Sequence, residues 1–159
     1  MKSQANLKNL EIYVKYGKEI TDEGLTALCT GLKASSSLQS LTLVCHGLES
    51  LTEKSMLELS QTIKCHKTLH TLALSFAEIP LNLDVAVGNL KEALNLFTTI
   101  QNLTLIFSGS EITDDALGYL KELLRSKNSL KTLFLNFSGC QQLTNEGVRQ
   151  LSQGLGTQS

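Results

Sequence analysis

The 159-residue chain has a single proline, no apolar run near the roughly 20 residues that a membrane-spanning helix needs, and no surplus of basic side chains. With 14 Lys and Arg against 15 Asp and Glu, the formal net charge is −1, so the positive footprint that non-specific nucleic-acid binding relies on is missing. The first residues, Met-Lys-Ser-Gln-Ala-Asn, contain no apolar stretch of the secretory kind. Cys29, Cys45, Cys65 and Cys140 form no C-x-x-C pair and are too sparse for a disulfide framework. These absences set the expectation of an intracellular, cytoplasmic chain with reduced thiols that engages neither nucleic acid nor membrane. No glycine-rich phosphate loop and no G-x-S-x-G element occurs, so no catalytic residue and no cofactor is expected. Hydrophobic residues make up 42% of the chain, enough to exclude a disordered segment and to fill the core of one domain.

What the chain does have is repetition. Leu130-Lys-Thr-Leu-Phe-Leu-Asn-Phe137 is matched by segments beginning at Leu7, Leu38, Leu69 and Ile100. A recurrence of 30 or 31 residues between these starts is the signature of a solenoid. Counting the first residue of each copy as position 0, apolar residues fall at 0, 3, 5 and 7; the last three alternate as in a strand with one face buried. Position 7 runs Val14, Cys45, Phe76, Phe107, Phe137, a column that predicts parallel strands stacked in register.

The second half of each copy changes period. Leu25-Leu28-Leu32, Met56-Leu59-Ile63, Val87-Leu90-Leu94, Leu117-Leu120-Leu124 and Val148-Leu151-Leu155 share a 3-then-4 spacing, which is one stripe of a helix. Thr21, Thr52, Thr113 and Thr144 stand where an N-cap hydroxyl would satisfy a free N–H, and acidic residues follow in the first turn. Copy three lacks this Thr-acid signal and places Pro80 in its link; Asp84 is its expected N-cap, and the link is a loop variant or a bent contact point.

The strand pattern L-x-x-L-x-L, followed by Ile20-Thr-Asp-Glu-Gly24-Leu25 or Leu143-Thr-Asn-Glu-Gly147-Val148, resembles a leucine-rich repeat. The full helix and long period are similar to the ribonuclease-inhibitor class, which also forms the C-termini of NOD-like immune receptors. The resemblance implies an α/β horseshoe of five strand–helix units, with the parallel sheet on the concave side and helices on the convex side. It covers residues 1–159 as a single domain. One family feature is missing: the Asn or Cys that bonds the turn is absent from positions 8 and 9, which read Lys15-Tyr16, His46-Gly47, Ala77-Glu78, Ser108-Gly109 and Ser138-Gly139. Both ends read as uncapped, with Lys2 in phase with Lys33 and Lys64, so a piece of a longer protein, or self-association through the ends, is expected.

In such a horseshoe strand positions 2, 4 and 6 point away from the core. The expected partner-binding residues on this concave face are Glu11, Tyr13, Thr42, Val44, Ser75, Thr104, Ile106, Phe134 and Asn136. Apolar bodies on a largely uncharged solenoid face suit a protein partner of unknown identity. The competing reading is a structural or autoinhibitory segment that acts through its ends and helices. Cys45-His46 and Cys65-His66 hint at zinc, but the two pairs fall on opposite edges of one copy, so buried thiols and surface histidines are expected and no metal. Asn102-Leu-Thr and Asn136-Phe-Ser match the glycosylation sequon, yet both lie inside predicted strands, where chance matches are the simpler account.

Overall fold

The computed structural model describes residues 6–156. The reading of Lys2 as part of a repeat tail, and the closing Thr157-Gln-Ser, lie outside the described residues. The elements alternate strictly: β1 (Asn9–Lys15), α1 (Asp22–Lys33), β2 (Ser40–His46), α2 (Glu53–Lys64), β3 (Thr71–Ser75), α3 (Asp84–Asn95), β4 (Asn102–Ile106), α4 (Asp114–Ser126), β5 (Thr132–Asn136) and α5 (Asn145–Leu155). The strands form one parallel sheet in the order β1-β2-β3-β4-β5, and every neighbouring pair is in register, Leu10 beside Leu41, Leu72, Leu103 and Leu133.

Alternation along each strand sends positions 3 and 5 to the helix side, where Leu41, Leu43, Leu72, Leu74, Leu103 and Leu105 are buried. Beyond the strands the rings of Phe76, Phe107 and Phe137 stack, with centroids 6.4 and 6.1 Å apart. Stacking of this kind adds to area burial because ring faces and edges attract at such separations. The helix stripes of copies two to four are buried, and Leu25 and Leu32 are buried in α1. The stripe of α5 departs from expectation: Val148 and Leu155 are 61% and 48% exposed, and Gly147 and Gly154 are buried instead. Among the described residues no further helix lies beyond α5 to cover that stripe.

Each threonine cap forms as its position implies. The hydroxyls of Thr21, Thr52, Thr113 and Thr144 accept from the N–H two residues on, at 3.1–3.3 Å. Copy three is corrected. Asp84 is the first helical residue, and Leu83, at the cap, makes no side-chain bond. Asn82 supplies the missing acceptor, its Oδ1 receiving the Asp84 N–H at 2.9 Å.

The freed Asp84 carboxylate reaches the next copy, accepting the Thr113 N–H at 2.9 Å and the Thr113 hydroxyl at 2.7 Å. Asp22 does the same for Thr52, and Asp114 for Thr144. First-turn acids therefore tie helix starts together as well as complementing the helix dipole. At Asp22 burial pushes the carboxyl pKa up, but the Thr52 bonds outweigh it and the net shift is downward. At Asp114 the Thr144 bonds lower it.

A second ladder runs through the links. Ser37, Thr68, Thr99 and Ser129 each donate a hydroxyl hydrogen to a backbone carbonyl of the preceding copy, on Leu7, Leu38, Leu69 and Ile100, at 2.6–2.9 Å. The missing turn Asn or Cys is replaced two residues later in the last two turns. The Ser110 hydroxyl donates to the Phe76 carbonyl, and the Cys140 thiol donates to the Phe107 carbonyl at 3.1 Å.

Candidate functional site

The face of the sheet turned away from the helices presents the even strand positions. Eight of the nine residues expected there are exposed or half-buried, and the in-register pairing aligns them in rows. One row is Glu11, Thr42, Ala73, Thr104, Phe134; the next is Tyr13, Val44, Ser75, Ile106, Asn136. Tyr13 is 58% and Phe134 51% exposed, so the two aromatic bodies stand on the two outermost strands, with small polar and aliphatic side chains between them.

Ser75 is the correction. It is only 3% exposed, because the imidazole of His46 in the neighbouring copy leans over it, with Nε2 2.7 Å from Ser75 Oγ. Ser75 supports this face and His46 presents it. Sequence reasoning missed His46 because it stopped at position 6, whereas β2 runs two residues beyond β3 and the same alternation carries position 8 to this face. Partial burial, then repulsion from Lys15, holds the His46 pKa below the usual histidine value, with Glu78 opposing, which favours the uncharged imidazole.

Other charges on this face are tied down. The Tyr13 hydroxyl donates to Glu11 Oε2 at 3.2 Å, a bond that raises the phenol pKa, and Lys15 sits 5.8 Å from the Tyr13 ring centroid. Asn136 Oδ1 accepts the Ser138 N–H, and Asn102 Nδ2 donates to Thr71 Oγ1. Uncharged, aligned side chains with modest hydrogen-bonding capacity offer contact area at low desolvation cost.

The Cys-His pairs do not converge. Among the described residues no group of three or more His, Cys, Asp or Glu side chains comes together as a metal site. Cys45 is buried, and burial pushes its thiol up to about 12; the same cause raises Cys29. His66, expected at the surface, is instead fully buried, and neither ring nitrogen has a hydrogen-bond partner. Its place in the link is that of Ser35, Phe97 and Lys127 in other copies, all buried, so the position belongs to the core whichever residue occupies it.

No helix among the described residues is long and apolar enough to cross a membrane. No family model and no curated protein matches the sequence. Among solved structures, leiomodin-1 actin-binding site 2 is similar to the chain with a TM-score of 0.64, at 15% identity over 98% of this chain and 85% of that one. At that identity the likeness speaks to fold alone. With the five in-register strands and five alternating helices, it makes the chain an α/β leucine-rich-repeat solenoid with its sheet on the concave side.

Proposed function

We propose that this chain is a non-enzymatic protein-recognition module that takes its partner on the concave sheet face. The observation that carries the reading is the pair of half-exposed aromatic rings, Tyr13 and Phe134, flanking a nearly uncharged strip that includes Thr42, Val44, Thr104 and Ile106. Aromatic anchors surrounded by small groups are the usual energetic centres of protein interfaces. The similar fold of a leiomodin-1 segment named for actin binding supports protein recognition as a use of this architecture, and makes actin a reasonable first bait. The resemblance to ribonuclease-inhibitor-like repeats supports a place within a larger cytoplasmic receptor or scaffold.

Replacing Tyr13, Ile106 and Phe134 together by Ser tests the reading. These side chains lie on the solvent side of the sheet, so the melting temperature should be almost unchanged. Partner capture should fall by more than about tenfold, the loss of one modest anchor. Unchanged capture by the folded triple variant would sink the concave-face assignment.

A further inference from the structure

We propose that the N-terminal face of the solenoid, built by α1 and β1, docks the C-terminal face, built by α5 and β5, of a second copy of this chain. The contact between α4 and α5 shows what such a joint requires. Gly147 and Gly154 are the third and tenth residues of α5. A Cβ at Gly154 would lie 2.8 Å from Lys121 Cα and 3.0 Å from its carbonyl oxygen, and one at Gly147 would lie 2.9 Å from Leu117 Cδ1. At Gly154 the backbone of α4 lies too close for any larger side chain, and at Gly147 one would have to displace the Asp114 and Leu117 side chains.

In the middle helices the third and tenth residues are Ser55 and Thr62, Ala86 and Ala93, and Ala116 and Leu123, each buried or half-buried. Ser55 meets Asp22 and Thr62 meets Cys29, both on α1, so in α2, as in α5, this face turns toward the preceding helix. In α1 the third and tenth residues are Gly24 and Gly31. Both are exposed; a Cβ at Gly31 would meet nothing within 4 Å, and one at Gly24 only Ile20. Two glycines in a solvated helix lower its propensity, and among the described residues they serve no close contact.

Three other features mark the same face. Beside the glycines an open apolar hollow of about 240 Å³ is lined by Ile12, Val14, Ile20, Leu25 and Leu28. Thr21 caps α1 but, unlike Thr52, Thr113 and Thr144, has no carboxylate from a neighbouring copy among the described residues. Among the described residues the outer edge of β1 has no strand partner.

The opposite end supplies the complement. At the first position of α5 Asn145 stands where Asp22, Asp84 and Asp114 stand, with an amide oxygen able to accept from Thr21. By the offsets of the α4–α5 contact, Gly24 would meet Asn145 and Val148, and Gly31 would meet Ser152 and Leu155. Val148 and Leu155 are exposed, and Ser152 is smaller than the Lys121 it replaces. Asn145, Val148, Ser152 and Leu155 are all uncharged, and Arg149, which the same offsets bring near Ala27, already pairs with Glu146. A contact between unlike faces is heterologous, leaving one free face of each kind on every pair. The inference is independent of the concave face and survives or fails separately from it.

Sedimentation velocity on the wild-type chain and two single variants provides the test. Wild type should sediment faster as concentration rises. Gly31→Leu and Leu155→Lys, both at exposed positions and the second complementing the C-terminal end of the helix dipole, should each melt close to wild type and weaken association by at least about tenfold. Mixed, the two variants retain one intact face each and should form a 1:1 dimer and nothing larger. A wild type that stays monomeric, an association untouched by both substitutions, or a mixture that stays monomeric would overturn the proposal.

Discussion

Position 9 of every copy carries a left-handed backbone. Gly47, Gly109 and Gly139 adopt it with φ of 59°, 68° and 75°, while Tyr16 and Glu78 adopt it with φ of 54° and 56°. A residue with a Cβ is strained there by roughly 1 kcal/mol or more, whereas glycine is not. Glu78→Gly is therefore expected to stabilise the fold by up to about 1 kcal/mol in a denaturant melt, while Gly47→Ala, whose Cβ would lie 2.6 Å from the Tyr16 ring, should destabilise it. His66 makes a second residue-scale case. Burial depresses its pKa, and partial burial followed by Lys15 depresses that of His46. Below the unfolded histidine value, about 6.5, the unfolded chain binds protons that the folded chain refuses. Stability is therefore full above that pH and falls as pH drops toward the folded values. His66→Phe, the residue found at the equivalent Phe97, removes two unpartnered buried nitrogens and should add about 1–3 kcal/mol at pH 7. Melts between neutral pH and about pH 5 should also show a shallower decline, with the His46 part retained.

At the scale of elements, the helices are joined start to start by an aspartate that bonds the next threonine cap, except between α2 and α3. There Glu53 replaces the aspartate and Leu83 replaces the threonine, so neither half of the pair is present. Asp84→Ala should cost about 1–2 kcal/mol, since it removes both bonds that hold the Thr113 cap of α4 as well as the first-turn charge of α3. Asp84→Asn, which keeps one acceptor oxygen, should cost less; equal losses in chemical denaturation would argue against the bond to Thr113. Asp22 and Asp114 were legible in the sequence as dipole partners and Asp84 as an N-cap, but none as a tie, because the tie needs the helix starts of neighbouring copies side by side. For the same reason Ser37, Thr68, Thr99 and Ser129 read as polar link residues until the stacked copies placed a carbonyl within reach of each.

Across the whole molecule, the 31-residue recurrence and the leucine columns made the sheet order and register readable in advance, since in-register stacking is the arrangement that buries all the columns at once. The outer face was harder to read. Alternation placed Tyr13, Ile106 and Phe134 correctly, but Ser75 is removed from the surface by an imidazole 29 residues earlier, a contact that no pattern within one copy reveals. His66 went the other way: a polar residue in a polar link lies in the core because its neighbours at Ser35 and Phe97 define a buried column. The central claim remains that recognition takes place on the sheet and not on the helices. A photo-crosslinking residue placed at Phe134 on the sheet face, and in a separate variant at the exposed Leu96 at the end of α3, tests it most directly. A crosslink to the captured partner from position 134 and none from position 96 is expected; the reverse pattern would contradict the assignment.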